Sequence, residues 1–187
     1  MSYKYSKGAQ VIGDLKAQDD TQRDTLIDFG EDQIDFQTSG SVRLQANNNG
    51  MNLYHDPLDL SNDTGVGEVV KFGVSSGPLT AGKLYFLYSS TWTEVDADSV
   101  GSGAECMLGI ALGSNPTVDG VLIRGFFDAH SYLSNFSAGK AVYISTTAGG
   151  MDTNRPTDAG DFVRIVGYCT TTANVIYFNP STTWVEL

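Results

Sequence analysis

Apolar and polar residues alternate in short runs along the first third of the chain. The runs are Leu26–Phe29, Ile34–Phe36, Val42–Leu44 and Met51–Leu53, and turn sequences rich in Gly, Asn and Ser separate them. Alternation at period two between such turns predicts a meander of very short strands. Each strand offers only two large apolar residues to one face, and hairpins this small are marginal alone in water. We therefore expect these strands to need another surface, which favours symmetric oligomerisation.

A longer pattern occurs twice in the remainder of the chain. Leu79–Ser90 and Phe136–Thr147 each contain Ala-Gly-Lys followed by an aromatic and aliphatic run that closes in hydroxyl residues. Two further strand patterns follow each copy. These are Leu108–Leu112 and Gly120–Phe127 after the first copy, and Ile165–Cys169 and Asn174–Phe178 after the second. The sequence therefore predicts one three-strand unit laid down twice, about 57 residues apart.

Strand patterns recur at short spacing without helical patterns between them, which predicts an all-β fold. We predict a globular antiparallel barrel or sandwich over residues 66–187, built from the two three-strand units, with a first strand at Glu68–Phe72 and a closing strand over 182–187. Residues 1–65 are predicted to form an extended arm with short β-strands and a linker. Within this arm, a short helix over Asp14–Asp28 and an extended segment that orders against a partner are both compatible with the sequence.

The charge of the chain restricts its partners. It has 187 residues with 22 acidic and 11 basic side chains, a net charge of −11. This balance repels nucleic-acid backbones and anionic membranes, so we expect direct binding to neither. No run of 18 apolar residues is present, and the start Met1–Gly8 lacks an apolar run after its positive charges. Neither a membrane span nor a secretory signal is therefore expected.

The two cysteines, Cys106 and Cys169, lie in apolar strand-like runs and do not occupy equivalent positions of the repeat. We expect two buried free thiols in a protein made in a reducing cytoplasm, with a disulfide as the alternative. Two Cys and two distant His are too few for a metal centre, so no metal and no cofactor is predicted.

Candidate catalytic groups are sparse. Asp128 and His130 would share a strand face, with Ser131 and Ser134 nearby, but neither a nucleophile elbow nor an oxyanion-type glycine turn accompanies them. We interpret His130 as a polar residue at the rim of the connection between the two units. His55 stands alone in the linker.

Other polar and aromatic groups have similarly plain interpretations, and no catalytic, cofactor or metal residue is predicted. The acidic residues are interpreted as solvated loop or turn residues, because the spacing of those in the linker fits no calcium loop and because sequence distance does not establish a glycosidase pair. The aromatic residues are interpreted mainly as core, with a sugar-binding platform as the alternative. Gly101–Gly103 is a turn, and neither repeat lysine has a phosphate cradle around it. The acidic residues are Asp56, Asp59, Asp63, Asp96 and Asp98, the aromatic residues are Trp92 and Trp184, and the repeat lysines are Lys83 and Lys140.

Several of these segments together resemble a known group of proteins. Residues 67–72, 79–85, 108–112, 160–168 and 175–180 look like virion structural proteins of tailed bacteriophages, notably those of marine cyanophages. The order of a Gly-Lys-x-x-Tyr-type strand, a Gly-Ile-Ala strand and a Val-rich strand resembles the small head-decoration (cement) proteins. Ile27–Gln45 resembles the short trimeric β-repeats that open phage fibre proteins. The resemblance implies trimers, no catalysis and attachment to a capsid or tail.

The leading hypothesis is a non-enzymatic homotrimer that is made in the host cytoplasm and acts on the virion surface. It would be a capsid decoration protein whose partners are its own copies and the major capsid protein or neighbouring virion proteins. A second hypothesis is a trimeric tail or head fibre, with Trp92, Tyr132 or Trp184 contacting a host glycan at its tip. A third is a small carbohydrate-active enzyme or lectin-like module.

Overall fold

The computed structural model describes residues 15–16, 20–22, 24–56 and 59–187. The start of the chain, considered above for a secretory signal, lies outside these residues. The chain divides into two compact units, Met1–His55 and Asp56–Leu187. The division precedes the predicted boundary between residues 65 and 66, because the loop before residue 65 already bonds to the second unit. The Asp63 amide donates to the Asp128 carbonyl, and the Asp128 amide donates to the Thr64 carbonyl, both at 2.9 Å.

The first unit is a five-stranded antiparallel sheet in which the strands follow one another in chain order. Of the window 14–28, for which a helix is one prediction, residues 14, 17–19 and 23 lie outside the described residues. The described part of that window contributes two strands. Ser39 and Gly40, with φ of 50° and 70°, form the turn between the third and fourth strands, as expected for a two-residue hairpin turn. The strands are β1 Leu15–Lys16, β2 Leu26–Gly30, β3 Gln33–Thr38, β4 Ser41–Asn47 and β5 Gly50–Leu53.

The second unit is a larger sheet that curls into a half-barrel, which confirms the predicted all-β fold. Its strands are β6 Gly65–Val70, β7 Leu84–Tyr88, β8 Thr91–Glu94, β9 Met107–Ala111, β10 Val121–Asp128, β11 Leu133–Ser134, β12 Ala141–Ile144, β13 Met151–Asp152, β14 Phe162–Cys169, β15 Val175–Phe178 and β16 Trp184–Glu186. Their order in the sheet is β11-β13-β12-β14-β15-β10-β9-β7-β8, with β6 paired to β10 and β16 paired to β14. All strand pairs are antiparallel except β11 with β13. The first strand begins and ends earlier than predicted, and the closing strand is present.

The doubled pattern in the sequence is a doubled three-strand unit in the fold. Strands β7, β9 and β10 form one antiparallel meander, and β12, β14 and β15 form the other. In both meanders, the second residue after the lysine of Ala-Gly-Lys pairs with a glycine on the next strand of the meander. Equivalent backbone bonds also run from the turn glycine to the second strand. These contacts are Tyr85 opposite Gly109 and Val142 opposite Gly167, with Gly82 N to Ala111 O at 2.9 Å and Gly139 N to Cys169 O at 3.0 Å.

The two meanders join through their third strands, since β10 pairs with β15. This places apolar side chains of both meanders in one main core, and a second, smaller buried cluster contains Leu79, Tyr85, Trp92, Ala111 and Val121. The fully buried members of the main core include Leu84, Ile110 and Leu122 from the first meander and Phe162 and Phe178 from the second. The second unit therefore buries its own apolar residues, which is the condition for a body that is stable by itself.

Candidate interaction surface

The sheet of the first unit has one face made of apolar side chains. Because paired residues of an antiparallel ladder project to the same side, the register assigns each side chain to a face. Phe29 lies opposite Ile34, Phe36 lies opposite Leu44, and equivalent pairs continue to both edges. We call this set the apolar face. It consists of Leu15, Ile27, Phe29, Ile34, Phe36, Leu44, Ala46, Met51 and Leu53.

Solvent reaches most of the apolar face. Six of its nine side chains are between 37% and 72% exposed, and Met51 and Leu53 are the most open. A groove of about 420 Å³ adjoins it and is lined by Leu15, Ile27 and Phe36 together with the charged side chains of Lys16 and Arg43. Among the described residues of the first unit, no apolar side chain is buried. Contiguous apolar surface of this kind marks an interaction site in soluble proteins.

The opposite face of the same sheet is polar apart from Leu26 and Val42, which both pair with Gln37. A hydrogen-bond cluster surrounds the Gln45 side-chain oxygen, which accepts from Asn47 Nδ2 at 2.8 Å, Tyr54 Oη at 3.3 Å and Asn52 Nδ2 at 3.4 Å. Asp35 is only 5% exposed on this side, and Gln33 Nε2 donates to its Oδ2 at 3.0 Å. The two faces of the sheet thus differ strongly in polarity, and one of them offers an apolar surface to a partner.

The Asp-His-Ser residues singled out in the sequence do not form a catalytic relay. Ser131 donates its hydroxyl to the Asp63 carboxylate rather than to His130, and Asp63 Oδ1 also accepts the Ser131 amide at 3.0 Å. His130 Nδ1 lies 3.1 Å from Asn174 Nδ2. Asp128 is buried, and this burial raises its pKa, although the His130 amide and ring lower it and the Asp63 charge raises it further. This cluster ties the end of β10 to the loop before β6.

The acidic residues form turns and carboxylate clusters. The Asp98 amide donates to Asp96 Oδ1 at 3.1 Å, which closes a local turn as predicted. Local desolvation raises the pKa of Asp98, and the charges of Asp96, Asp161 and Asp158 raise it further. Within the part of the chain that the structure describes, no three His, Cys, Asp or Glu side chains are placed to hold a metal ion.

The tryptophan at position 92 cannot serve as an exposed glycan contact, and that part of the fibre hypothesis is wrong. Trp92 is 1% exposed, and its indole N–H donates to the Phe72 carbonyl at 2.8 Å. Its ring stacks on the Phe72 ring, with 6.1 Å between the ring centroids. Trp184 is half-buried against the edge of Phe162, and Tyr132 is half-buried with Lys83 Nζ 6.0 Å from its ring centre. The most exposed aromatic residue among those described is Tyr88, at the turn between β7 and β8.

A buried arginine is a feature that our sequence analysis did not identify. Arg164 is 6% exposed, and its Nη1 donates to three carbonyl oxygens of the loop 103–106 at 2.8 to 2.9 Å. Its Nε donates to the Ser181 carbonyl at 2.7 Å. Burial lowers the pKa of the guanidinium, and the neighbouring Cys106 raises it. The period-two pattern of β14 indicates that residue 164 is buried, because residues 162, 164 and 166 lie on the same inner side of the strand.

Both cysteines are free thiols. Cys169 is buried in the core as expected. Cys106 is only half-buried, because it lies in the loop before β9 rather than within a core strand.

No protein-family model matches this sequence, and no curated protein or solved structure is significantly similar to it. Among the described residues, no helix has the length and apolar character needed to cross a bilayer.

Proposed function

We propose that this chain is a non-enzymatic structural protein of a phage virion. In this role it is a homotrimeric capsid decoration protein that docks on the head shell and stabilises it. The observation that carries the proposal is the apolar face of the N-terminal sheet, which has no second layer within its own unit. The resemblance of several segments to virion proteins supports the same role.

The two units suit this role in different ways. The second unit has its own apolar core, so it supplies a body that is stable by itself in water. The first unit presents strands that gain stability only by contact with another surface. Cementing acts by adding buried surface across capsomer boundaries, so that bursting the shell must break more contacts. The net charge of −11 keeps such a protein soluble and away from packaged nucleic acid.

The test is to locate the protein on intact particles and to measure what its loss does. We expect cryo-electron microscopy to show density with threefold symmetry on the capsid lattice. Particles that lack the protein should release their genome at lower temperature, and adding the purified full chain should restore resistance. Density confined to the tail would assign the fibre role instead, and absence from purified particles would refute both.

The enzyme hypothesis predicts a different result. It requires that Asp128→Ala and His130→Ala abolish a hydrolytic activity on a glycan while particle stability stays unchanged. Our proposal predicts no such activity in the wild-type protein, and changes in particle stability only when docking or folding is affected.

A further inference from the structure

We infer that Asn49 and Gly50 form a site of self-catalysed covalent modification, at which the chain converts Asn49 to isoaspartate and thereby releases strand β5 from the N-terminal sheet. The two residues are the only Asn-Gly pair in the 187 residues. They lie where the chain turns from β4 into β5. The reaction depends on the chain and on water alone, so it does not rest on the proposed virion role.

The reaction proceeds through a ring that the two residues form together. The backbone nitrogen of Gly50, after losing its proton to hydroxide, attacks the Cγ carbon of Asn49 and forms a C–N bond. The Cγ–Nδ2 bond breaks, the leaving nitrogen takes up a proton from water and departs as ammonia, and a five-membered succinimide ring remains. Water then opens the ring at one of its two C–N bonds. Opening at the backbone carbonyl gives isoaspartate, in which the main chain runs through the side-chain carbons, and opening at Cγ gives aspartate.

The structure leaves this pair open to reaction. Asn49 and Gly50 are both exposed, and apart from the chain neighbours no described atom lies within 4 Å of the position that a Cβ atom would occupy at Gly50. Within the described part of the chain, no hydrogen bond holds the Asn49 side chain, whereas its backbone amide donates to Asn47 Oδ1 at 2.9 Å. Asn47 and Gly50 are the last pair of the β4–β5 ladder, and the ends of a ladder open most readily. The Gly50 nitrogen can therefore reach Asn49 Cγ while the rest of the sheet stays paired.

The conformation of the turn explains why the reactive residue is followed by glycine. Gly50 has a φ of 130°, which lies in a region that residues with a Cβ atom rarely adopt. A side chain at position 50 would also hinder the approach of the nitrogen to Cγ. The glycine that the backbone requires thus leaves the reaction unhindered.

Comparable sites in the chain are less open to the same reaction. Asp119 also precedes a glycine, but its Oδ2 accepts the Asn115 amide at 2.8 Å, and Gly120 is buried. Asn48 lies in the same exposed turn as Asn49. The residue that follows Asn48 carries a side chain, which hinders attack by its backbone nitrogen. Sequence and structure together therefore select Asn49.

Isoaspartate adds a methylene to the main chain at a turn whose length fixes the register of β4 with β5. Two residues separate Asn47 from Gly50, and the length of a hairpin loop determines how its strands pair. Among the described strands, β5 pairs only with β4 and lies at the end of the sheet, so no second neighbour holds it. We expect β5 to lose its pairing together with Met51 and Leu53, the most open residues of the apolar face. The modification therefore changes this face slowly and in one direction.

The experiment incubates the purified full-length protein in mildly alkaline and in mildly acidic buffer made with heavy-oxygen water, and peptide mass spectrometry follows each candidate residue. We expect position 49 to take up one heavy oxygen atom, because water opens the ring. Isoaspartate should be the larger product, and electron-transfer fragmentation distinguishes it from aspartate. The rate should rise in proportion to hydroxide concentration, because hydroxide removes the proton from the Gly50 amide. Asn48 and Asp119 should stay unmodified over the same time.

Hydrogen exchange then tests the consequence for β5. In the modified fraction, residues 50–53 should lose their protection, whereas residues 33–38 of β3 should keep theirs. Asn49→Ser has no side-chain amide to form the ring, so it should keep β5 protected throughout the incubation. Freshly prepared Asn49→Asp adds the negative charge without the extra methylene, and it should also keep β5 protected. Comparison of these two variants with the modified wild type separates the effect of the longer main chain from the effect of the charge.

Three results would overturn the inference. The first is an unmodified position 49 after a time in which a synthetic peptide of residues 45–53 has reacted to completion, because the folded turn would then block the reaction. The second is equal modification of Asn48 and Asn49, because the following glycine would then confer no selectivity. The third is isoaspartate at position 49 with residues 50–53 still protected in the modified fraction, because the longer turn would then leave the β4–β5 pairing intact.

Discussion

Replacing the glycine at the centre of each three-strand unit should destabilise the second unit by a steric mechanism. Gly167 lies opposite Val142 on β12 and opposite Phe178 on β15. A Cβ atom at this position would lie 2.3 Å from the Tyr177 carbonyl oxygen, against 3.4 to 4 Å for ordinary contact. The obstructing atom is backbone, so no side-chain rotation removes the clash. Gly167→Ala must therefore displace one strand from the other by about 1 Å.

The cost follows from the position of β15. This strand pairs with β14 on one side and with β10 on the other, so a shift at Gly167 disturbs the junction of the two meanders. Overpacking of this kind costs about 1–3 kcal/mol in a well-packed core. For a unit of this size, each kcal/mol corresponds to about 4 °C in melting temperature, so we expect a drop of about 4–12 °C. The equivalent Gly109→Ala should behave similarly, because its Cβ would lie 2.4 Å from Val121 Cγ1 in the core.

The assay is urea unfolding followed by tryptophan fluorescence, with Gly77→Ala as the matched control. Gly77 has no atom within 4 Å of the added Cβ and does not adopt positive φ. This control should therefore be neutral or slightly more stable than the wild type, by up to about 1 kcal/mol. If Gly167→Ala unfolds within about 0.5 kcal/mol of Gly77→Ala, the strands do not approach as described and the register between β14 and β15 is wrong.

Three further substitutions test individual contacts by equilibrium unfolding. Arg164→Met removes four hydrogen bonds to carbonyl groups and should lower the free energy of unfolding by about 2–4 kcal/mol. An unchanged unfolding midpoint would show that these four bonds do not stabilise the fold. Asp128→Asn should stabilise the fold at pH 7 by up to about 1 kcal/mol, because burial raises the pKa of this carboxyl and its ionised form costs stability. This stabilisation should decrease as the pH falls through the pKa of Asp128 in the folded protein, and it should vanish below the ordinary pKa of 3.8. A stabilisation that persists below pH 3.8 would contradict this cause. Lys83→Met should cost less than about 1 kcal/mol through its 2.8 Å pair with Glu94, whereas the equivalent Lys140→Met, at an exposed turn, should cost nothing measurable.

The repeat could be predicted from the sequence because local chemistry determines it. Ala-Gly-Lys places a glycine where the chain turns with positive φ, at 89° for Gly82 and 77° for Gly139. The period-two runs that follow then have one register that buries their apolar side. The predicted strand segments of each copy accordingly pair with one another in the fold.

Other features depend on distant contacts that no local pattern encodes. Trp92 lies between two threonines in a short strand, and it becomes a core residue because Phe72 and Gly73 lie against it and because it joins the buried cluster around Tyr85 and Val121. The parallel pair β11 with β13 has two residues per strand, which is too short for a periodic signal. Alternation does predict that the N-terminal strands have an apolar side. It does not predict that this side stays exposed within the unit, because that depends on the number of strands available.

The number of strands explains why two segments with the same alternating pattern have opposite consequences. Eleven strands in the second unit are enough for the sheet to curl, so apolar side chains from its two meanders meet one another. Five short strands joined by tight turns form a single layer, and a single layer has no second surface to cover its apolar side. Lengthening the turns would not change this, since the missing element is a layer rather than a connection. The first unit therefore leaves its apolar side without a second layer of its own, whereas the second unit covers its apolar side by curling.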